Sequence, residues 1–251
     1  MIDRNALVSY IDSLLNVHAF RDYSPNGLQV EGYSGIDRIV AGVTASLELL
    51  EAAVARDAQL VLVHHGYFWR GETATVTGTR RRRLQLLLRH DINLLAYHLP
   101  LDCHAVYGNN VQLARQLDIN VTGEVEGEMT GLILRGELPT PMSAEALAAH
   151  ITQRLGRVPL HLPGDRVPIR SIAWCTGAAQ EYFETAVAAG VDAYITGEAS
   201  EYTTHMARET GVHFYAAGHH ATERNGIRSL AAHLADHFGL TAEFIDIDNP
   251  V

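Results

Sequence analysis

The chain has 251 residues, a length that allows one large domain or two small ones. Hydrophobic residues make up 47% of it and charged residues 19%, and no apolar run approaches the ~20 residues that cross a bilayer. The formal net charge of −10 argues against nucleic acid as a partner, because neutralising phosphates requires a basic face.

The cellular compartment is predicted from cysteine content and from the first residues. Two cysteines, Cys103 and Cys175, are too few for a disulfide framework, and neither belongs to a CxxC pair. The segment MIDRNALVSY carries charges where a signal peptide has an apolar stretch. We therefore expect a cytoplasmic protein with no membrane segment.

The predicted elements alternate between helices and strands along the chain. A helix over residues 4–16 is followed, over residues 36–65, by a strand, a small-residue loop, an amphipathic helix and a strand whose apolar run stops at two histidines. Further helices are predicted at residues 109–117, 143–155 and 227–238, and further strands at residues 129–138 and 157–162. This alternation implies an α/β fold with mostly parallel sheets that helices cover.

Four basic residues, Arg80–Arg83, interrupt this acidic chain. They precede the apolar stretch LQLLL, so we interpret them as the solvated start of a helix. Binding of a phosphate is the alternative.

An internal repeat relates two parts of the chain. Residues 36–55 and 169–188 align without a gap at a constant offset, and similar placements of a histidine after an apolar run continue the match. Two unrelated strand–helix–strand units obey the same patterning rules, so chance similarity is the alternative. The ungapped alignment favours duplication and predicts a chain with two related halves.

Polar residues follow the predicted strands at their carboxyl ends. They are His64 and His65 after LVLV, His98 and Asp102 after NLLAY, Glu198 after AYIT, and His219 after FYAAG. In parallel sheets, ligands bind beyond the carboxyl ends of the strands, where the loops converge. The sequence therefore predicts one site built from these residues.

The residue types at this predicted site indicate metal binding. Successive side chains of a strand point to opposite faces, so His64 and His65 are expected to serve two neighbouring ions. His219 and Glu223 lie four residues apart and project from one face if a helix begins there. The expected ligands are three imidazoles and two carboxylates: His64, His65, His219, Asp102 and Glu223.

This ligand set suits two divalent ions if one carboxylate bridges them, and Glu223 is the candidate bridge. Because the set contains no thiolate, it favours Zn, Fe, Mn, Co or Ni over soft metals. His98 is a candidate for orienting a ligand, for carrying a proton, or for a turn, and Glu198 is a candidate proton carrier. Tyr67 and Trp69 are candidates for stacking on a base.

At these residues the chain resembles the YbgI-type, NIF-three-like family, whose members are often labelled GTP cyclohydrolase 1 type 2 homologues. The similar blocks cover nearly the whole length, in order: SPNGLQVEG, VLVHHGYFWRG, NLLAYHLPLDCH, DAYITGEASEYTTHMARETG and FYAAGHHATERNGI. Many members have proline where this chain has Gly66. Longer members insert a further domain that this chain lacks.

The resemblance implies a metal site with two ions. In it, His64 and His219 bind one ion, His65 and Asp102 bind the other, and Glu223 binds both. It also implies two intertwined, pseudo-symmetric α/β halves. We place the first domain, which carries most of the metal ligands, at residues 1–125 with 216–251, and the second at 126–215. A homohexamer, a trimer of dimers, is the implied assembly.

Two divalent ions that share a site typically activate a water molecule for hydrolysis. The family label suggests a GTP cyclohydrolase-type reaction on a nucleotide-like small molecule, with His98 and Glu198 as the catalytic residues. Phosphoester hydrolysis is a second enzymatic interpretation. The alternative from another class is a non-enzymatic oligomer that stores, delivers or is held together by metal.

Overall fold

The computed structural model of the protein describes residues 1–126 and 129–251; Gly127 and Glu128, inside the predicted second domain, lie outside the described residues. The strands are β1 (Ile2–Asp3), β2 (Gly27–Val30), β3 (Gly35–Ile36), β4 (Arg38–Thr44), β5 (Leu60–His65), β6 (Asn93–Ala96), β7 (Asn120–Glu124), β8 (Leu134–Met142), β9 (Leu160–Leu162), β10 (Ile169–Trp174), β11 (Ala193–Thr196), β12 (His213–Ala216) and β13 (Thr241–Phe244).

The helices alternate with these strands as the α/β prediction requires. They are α1 (Arg4–Leu14), α2 (Leu47–Val54), α3 (Gly78–Arg89), α4 (Leu99–Asp102), α5 (Asn109–Gln116), α6 (Ala144–Leu155), α7 (Phe183–Ala188), α8 (Thr203–Thr210) and α9 (His219–Phe238). Short 3₁₀ turns cover Val17–Ala19 and Gln180–Tyr182. Within the described residues, no helix is both long and apolar enough to cross a membrane.

The chain divides into two compact units, each with its own sheet. Unit 1 comprises Met1–Leu101 and Gly226–Asp248, and unit 2 comprises Asp102–Asn225 and Asn249–Val251. Both units therefore contain segments that are distant in sequence.

The main sheet of unit 1 has the strand order β13-β4-β5-β6-β2. Its first four strands are parallel, and β2 runs antiparallel to β6 at the edge. Strand β5 is buried on both faces: Leu60 and Leu62 pack with α1 and α9, whereas Val61 and Val63 pack with α2 and α3. The continuous apolar run before the histidines is thus a central parallel strand.

The sheet of unit 2 has the order β7-β8-β10-β11-β12-β9. Strands β10, β11 and β12 are parallel in the centre, whereas β7, β8 and β9 pair antiparallel towards the edges. Helix α6 packs Leu147 and Ile151 into a core with Ile172 and Ile195. The α/β class is confirmed, and parallel pairing holds the centre of each sheet.

Most predicted helices lie where the sequence indicated them. Helix α6 begins after Ser143, whose hydroxyl accepts a hydrogen bond from the Ala146 N–H at 3.2 Å, and it ends at Gly156 with a positive φ of 73°. Helix α3 includes the basic run at its amino-terminal end, as interpreted.

The largest differences from the predicted boundaries are in α9 and β8. Helix α9 begins at His219, eight residues before the predicted start. The prediction missed these first turns because they lack a simple apolar stripe. Strand β8 begins at Leu134 instead of residue 129 and continues to Met142, because its ladder with β10 determines its length. Long-range pairing sets both ends of this strand.

Candidate metal centre

The carboxyl end of β5 places two imidazoles in unit 1. His64 is fully buried, and its Nδ1 lies 2.8 Å from the carbonyl oxygen of Tyr97, which follows β6. Because a carbonyl only accepts hydrogen bonds, Nδ1 donates, and the lone pair of the neutral imidazole lies on Nε2. This is the tautomer that a metal ligand requires when its other nitrogen is held by the protein.

Two further imidazoles of unit 1, those of His65 and His98, are also held through Nδ1. His65 Nδ1 lies 3.3 Å from Thr44 Oγ1, and His98 Nδ1 lies 2.7 Å from Asp22 Oδ1. Burial by itself raises the pKa of Asp22, but the hydrogen bond and charge of His98 and the amide of Asn26 lower it to about 2. Asp22 is therefore a carboxylate at neutral pH and orients His98.

The rings of His64, His65 and His98 converge. The ring centroids of His64 and His65 are 4.5 Å apart, and that of His98 is 5.1 Å from His64 and 5.8 Å from His65. One ring nitrogen from each lies within 4.8 Å of one from each of the others, so the cluster can hold a metal ion. Strand alternation led us to expect that His64 and His65 serve two neighbouring ions, which stays a prediction.

Two buried carboxylates belong to unit 2. Asp102 is 5% exposed and Glu223 is 3% exposed, and a carboxylate oxygen of one lies within 4.8 Å of a carboxylate oxygen of the other. Asp102 Oδ1 accepts hydrogen bonds from Asn109 Nδ2 at 2.8 Å and Thr176 Oγ1 at 3.3 Å. These contacts fix the orientation of the Asp102 carboxylate.

The first turn of α9 joins an imidazole to this carboxylate pair. His219 Nε2 lies 3.2 Å from Glu223 Oε2, four residues on along the helix as predicted, and its Nδ1 lies 2.6 Å from Glu198 Oε1. Burial opposes the charged imidazole, but the hydrogen bonds and charges of Glu223 and then Glu198 raise the pKa of His219 to about 9. Unit 2 thus stabilises positive charge at this position.

A glycine makes room for these donors. Gly177 has a positive φ of 71°, and a Cβ built on it would lie 2.2 Å from Glu223 Oε1 and 3.3 Å from His219 Nε2. Any side chain here would occupy the space that the carboxylate uses. Imidazoles with a fixed tautomer, buried carboxylates and this open cradle fit a divalent cation.

The structure therefore brings the predicted site residues together within each unit. Unit 1 gathers His64, His65 and His98. Unit 2 places Glu223 close to both Asp102 and His219, with Glu198 on the far ring nitrogen of His219. These buried His, Asp and Glu groups can hold a metal ion.

The two aromatic residues predicted to stack on a base, Tyr67 and Trp69, lie in different environments. Tyr67 is 6% exposed and donates its hydroxyl to the Ala45 carbonyl oxygen at 2.8 Å, so it belongs to the core and does not stack on a ligand. Trp69 is half-buried, and its ring lies 5.9 Å from that of His65 and 5.0 Å, edge to face, from that of His98. It remains the stacking candidate.

Residues that orient the donors escaped the sequence analysis. They are Asp22, Asn26, Thr44, Asn109 and Thr176. The segment RDYSPNG, which contains Asp22 and Asn26, has the composition of an ordinary turn, and nothing in its pattern points to a histidine 72 or more residues later. A search for carboxylates in loops between elements would have included it among many others.

The family described as Duf34/NIF3 (NGG1p interacting factor 3) matches residues 2–250. A protein from Yersinia pestis named "GTP cyclohydrolase 1 type 2 homolog" is 55% identical over 246 residues, which cover 97% of this chain and 98% of that one. The solved structure of a protein named ybgI, of unknown function, superposes over 100% of both chains with a TM-score of 0.97 and 50% identity. A structure from Thermus thermophilus does so with a TM-score of 0.89 and 33% identity, again over 100% of both chains.

Proposed function

The chain belongs to the Duf34/NIF3 family, and on this premise we propose that it is a hydrolase dependent on two divalent metal ions. In this proposal His64, His65, Asp102, His219 and Glu223 bind the two ions, and Glu223 is the bridging ligand. This ligand set is the one that the family resemblance implies. The ions are drawn from Fe, Zn, Mn, Co and Ni, the metals that imidazole and carboxylate favour.

One observation carries the proposal: the place of Glu223 in unit 2. Its carboxylate lies 3.2 Å from His219 Nε2 and has an oxygen within 4.8 Å of an Asp102 oxygen, although it is almost fully buried. Burying two carboxylates side by side costs free energy unless positive charge compensates them. A carboxylate between an imidazole and a second carboxylate is what a bridging ligand requires.

Two divalent ions, when bound, would supply Lewis-acid activation of water. The protein's own residues orient the ligands and neutralise charge. Glu198 holds His219 through Nδ1, which leaves Nε2 to act as a ligand, and its carboxylate is the proposed proton carrier. His98 is the second catalytic residue, placed by Asp22 beside the imidazoles of β5.

The proposed substrate is a nucleotide-like small molecule. The relatives carry the name GTP cyclohydrolase 1 type 2 homolog, and Trp69 presents a half-buried ring beside His65 on which a base can stack. A cyclohydrolase-type reaction would open the imidazole ring of the purine and release formate. The net charge of −10 disfavours long nucleic acids.

Assembly and location complete the proposal. We propose a homohexamer, a trimer of dimers, in the cytoplasm. The chain has only two cysteines, too few for a disulfide framework, in keeping with a reducing compartment.

The proposal is tested with protein stripped by a chelator and reloaded with Mn, Fe, Zn, Co or Ni. Elemental analysis should find two ions per chain, and GTP should yield formate with at least one metal. Glu223→Gln should lose metal, whereas Glu198→Gln should keep it and lose turnover. His18→Gln, at an exposed position in unit 1, is the matched control and should behave as the unmodified chain.

Each negative result has a consequence. Two bound ions without formate release would remove GTP, and a panel of phosphoesters would then test the second enzymatic reaction. Two bound ions without turnover of any substrate would favour a non-enzymatic metal carrier or scaffold. Protein that binds no metal would overturn the proposal.

A further inference from the structure

We propose that Arg70 binds a phosphate group of the substrate, which makes the substrate class a nucleoside phosphate whose base stacks on Trp69. This inference rests on the proposed function and deepens it, because it narrows the substrate class and assigns a residue that recognises it. Arg70 is not one of the proposed metal ligands. It directly follows Trp69, in the loop that connects β5 to α3.

The first observation is the turn that presents these two residues. The Glu72 N–H donates a hydrogen bond to the Trp69 carbonyl oxygen at 3.0 Å, and the Glu72 carboxylate accepts one from the Trp69 N–H at 3.2 Å. Between them, Gly71 has a positive φ of 88°, as the third residue of a type II turn requires. Glu72 thus closes the turn twice and fixes the backbone from which Trp69 and Arg70 project.

The second observation is the place of the Trp69 ring. Its centroid lies 5.0 Å from that of His98 and 5.9 Å from that of His65, and its Nε1–H donates to the Gly66 carbonyl oxygen at 3.2 Å. The ring is half-buried, so part of its face is open to a base. A nucleoside that stacks there is bound next to Arg70, the following residue in the chain.

The third observation is the way the Arg70 side chain is held. Its Nη2 donates to the Asp22 carbonyl oxygen at 3.2 Å, and its guanidinium carbon lies 5.8 Å from the centroid of the Tyr23 ring. The Arg70 backbone N–H also donates to the Tyr23 carbonyl oxygen at 2.7 Å. Asp22 holds His98 through its carboxylate, so the same residue contacts both Arg70 and a proposed catalytic residue.

The charge of Arg70 is available to a ligand. The residue is exposed, and in the part of the chain that the structure describes no carboxylate forms an ion pair with it. The Asp22 carbonyl oxygen accepts from one N–H of the planar group. The other N–H groups suit the oxygens of a phosphate, which arginine binds through two parallel hydrogen bonds.

Arginines of the basic run at the start of α3 are engaged differently. Arg80 forms an ion pair with Glu72, and the Arg83 guanidinium lies 5.9 Å from the centroid of the buried Tyr67 ring. These two residues support the loop and the core. Arg70 has no such ion pair in the described residues and directly follows the stacking residue, so it is the better candidate for a phosphate.

A local cation is needed because the chain is acidic. Its net charge of −10 repels phosphates at long range. A phosphate bound directly to the proposed ions would also take coordination positions that the activated water needs. Arg70 gives the phosphates a separate place beside the centre.

The experiment measures binding by isothermal titration calorimetry, with GTP, guanosine and tripolyphosphate as probes. Both protein reloaded with Zn²⁺ and chelator-stripped protein are titrated, because the stripped protein holds no ion that could bind the phosphates. The unmodified chain should bind GTP more tightly than guanosine or tripolyphosphate. Arg70→Gln should weaken binding of GTP and tripolyphosphate by about 10- to 100-fold, the value of a hydrogen bond to a charged group, and leave guanosine binding unchanged.

Further variants separate recognition of the phosphate from recognition of the base. Arg70→Lys keeps the charge but loses the planar fork, so it should restore only part of the GTP affinity. Trp69→Leu should weaken GTP and guanosine binding by the same factor, about tenfold. Arg81→Gln is the matched control, since it removes an exposed arginine of α3, and it should leave GTP binding unchanged.

Salt provides a readout that a purely structural role of Arg70 would not change. Added salt screens an exposed charge, so it should reduce the preference of the unmodified chain for GTP over guanosine. The smaller preference of Arg70→Gln should depend less on salt.

The outcomes distinguish this inference from the proposed function. GTP binding that Arg70→Gln leaves unchanged, or that Arg81→Gln weakens equally, would overturn the inference, as would an unmodified chain that binds GTP no better than guanosine. A phosphate preference that is lost in Arg70→Gln and kept in Arg81→Gln would support it even if no formate were released. In that case the proposed reaction would fail and the phosphate-binding residue would stand.

Discussion

The two segments that align in the sequence, residues 36–55 and 169–188, differ near the carboxyl end of their first strand. In unit 1 the residue at this position is Thr44, whose hydroxyl oxygen lies 3.3 Å from His65 Nδ1. The corresponding residue of unit 2 is Gly177, whose missing side chain leaves space for Glu223. One segment thus orients a ligand with a side chain, and the other accommodates a ligand by having none.

The helices that follow differ in the same way. Helix α2 begins after Ser46, whose hydroxyl accepts a hydrogen bond from the Leu49 N–H at 3.2 Å. The corresponding residue is Ala179, which cannot cap, and a 3₁₀ turn precedes α7. The aligned segments therefore share the order strand, helix, strand, while their helices begin differently.

Gly177→Ala should have the largest effect, a loss of metal affinity. The new methyl group would meet Glu223 Oε1 at 2.2 Å and displace a proposed ligand, so metal affinity should fall by up to about 100-fold, the upper limit for a disturbed ligand environment. The positive φ adds about 1–2 kcal/mol of backbone strain. Gly190→Ala is the matched control, because it has a φ of 75° with no atom nearby. Equal metal affinities in the two variants would contradict the claim that Gly177 leaves the space that Glu223 needs.

The second largest effect should be the pH dependence of the stability of the metal-free protein. The pKa of His219 is raised from 6.5 to about 9, which corresponds to about 3 kcal/mol of stability. This contribution is fully present below pH 6.5 and is lost as the pH rises through 9. Urea unfolding between pH 6 and 10 should show the decline, and Glu198→Gln should flatten it. A stability that rises over this range would contradict the assignment.

Removing the N-cap serine at Ser46 and adding a serine at Ala179, the corresponding position, should change the free energy of unfolding by unequal amounts. Ser46→Ala should lower the free energy of unfolding by about 1 kcal/mol, because it removes the N-cap of α2. Ala179→Ser should change it by less than about 0.5 kcal/mol, since the residue has φ −118° and ψ 25°, not the extended geometry of a cap. Urea unfolding measures both. Similar changes of opposite sign would mean that the two helix starts are equivalent.

Thr44→Val should have the smallest effect. It removes the 3.3 Å contact with His65 but keeps the shape of the side chain, and the residue is exposed. We expect Co²⁺ affinity to fall by no more than about tenfold and stability to stay within about 0.5 kcal/mol. Co²⁺ titration and urea unfolding check this. A loss as large as that of Gly177→Ala would show that the two positions matter equally.

The candidate donors could be predicted from the sequence because each follows an element with a clear local pattern. The run LVLV before His64 indicates a buried parallel strand, and the spacing of His219 and Glu223 indicates one face of a helix turn. Both indications agree with β5 and α9. Ser143 and Gly156 likewise predicted the ends of α6, because caps act within one turn.

The orienting residues could not be predicted in this way. Asp22 reaches His98 across 76 residues of sequence, and Asn109 and Thr176 approach Asp102 from other elements. Each of these contacts depends on the path of a loop, for which periodicity carries no information.

The sequence by itself determined the α/β class, the repeat, and which residues have the chemistry of metal ligands, because strand and helix periods and side-chain types are local properties. Only the tertiary structure decided that Gly177 leaves space for Glu223, that Asp22 holds His98, and that three rings of unit 1 converge. These are distances of a few ångströms between segments far apart in the chain. They follow from how strands pair and helices pack, which no short stretch of sequence encodes.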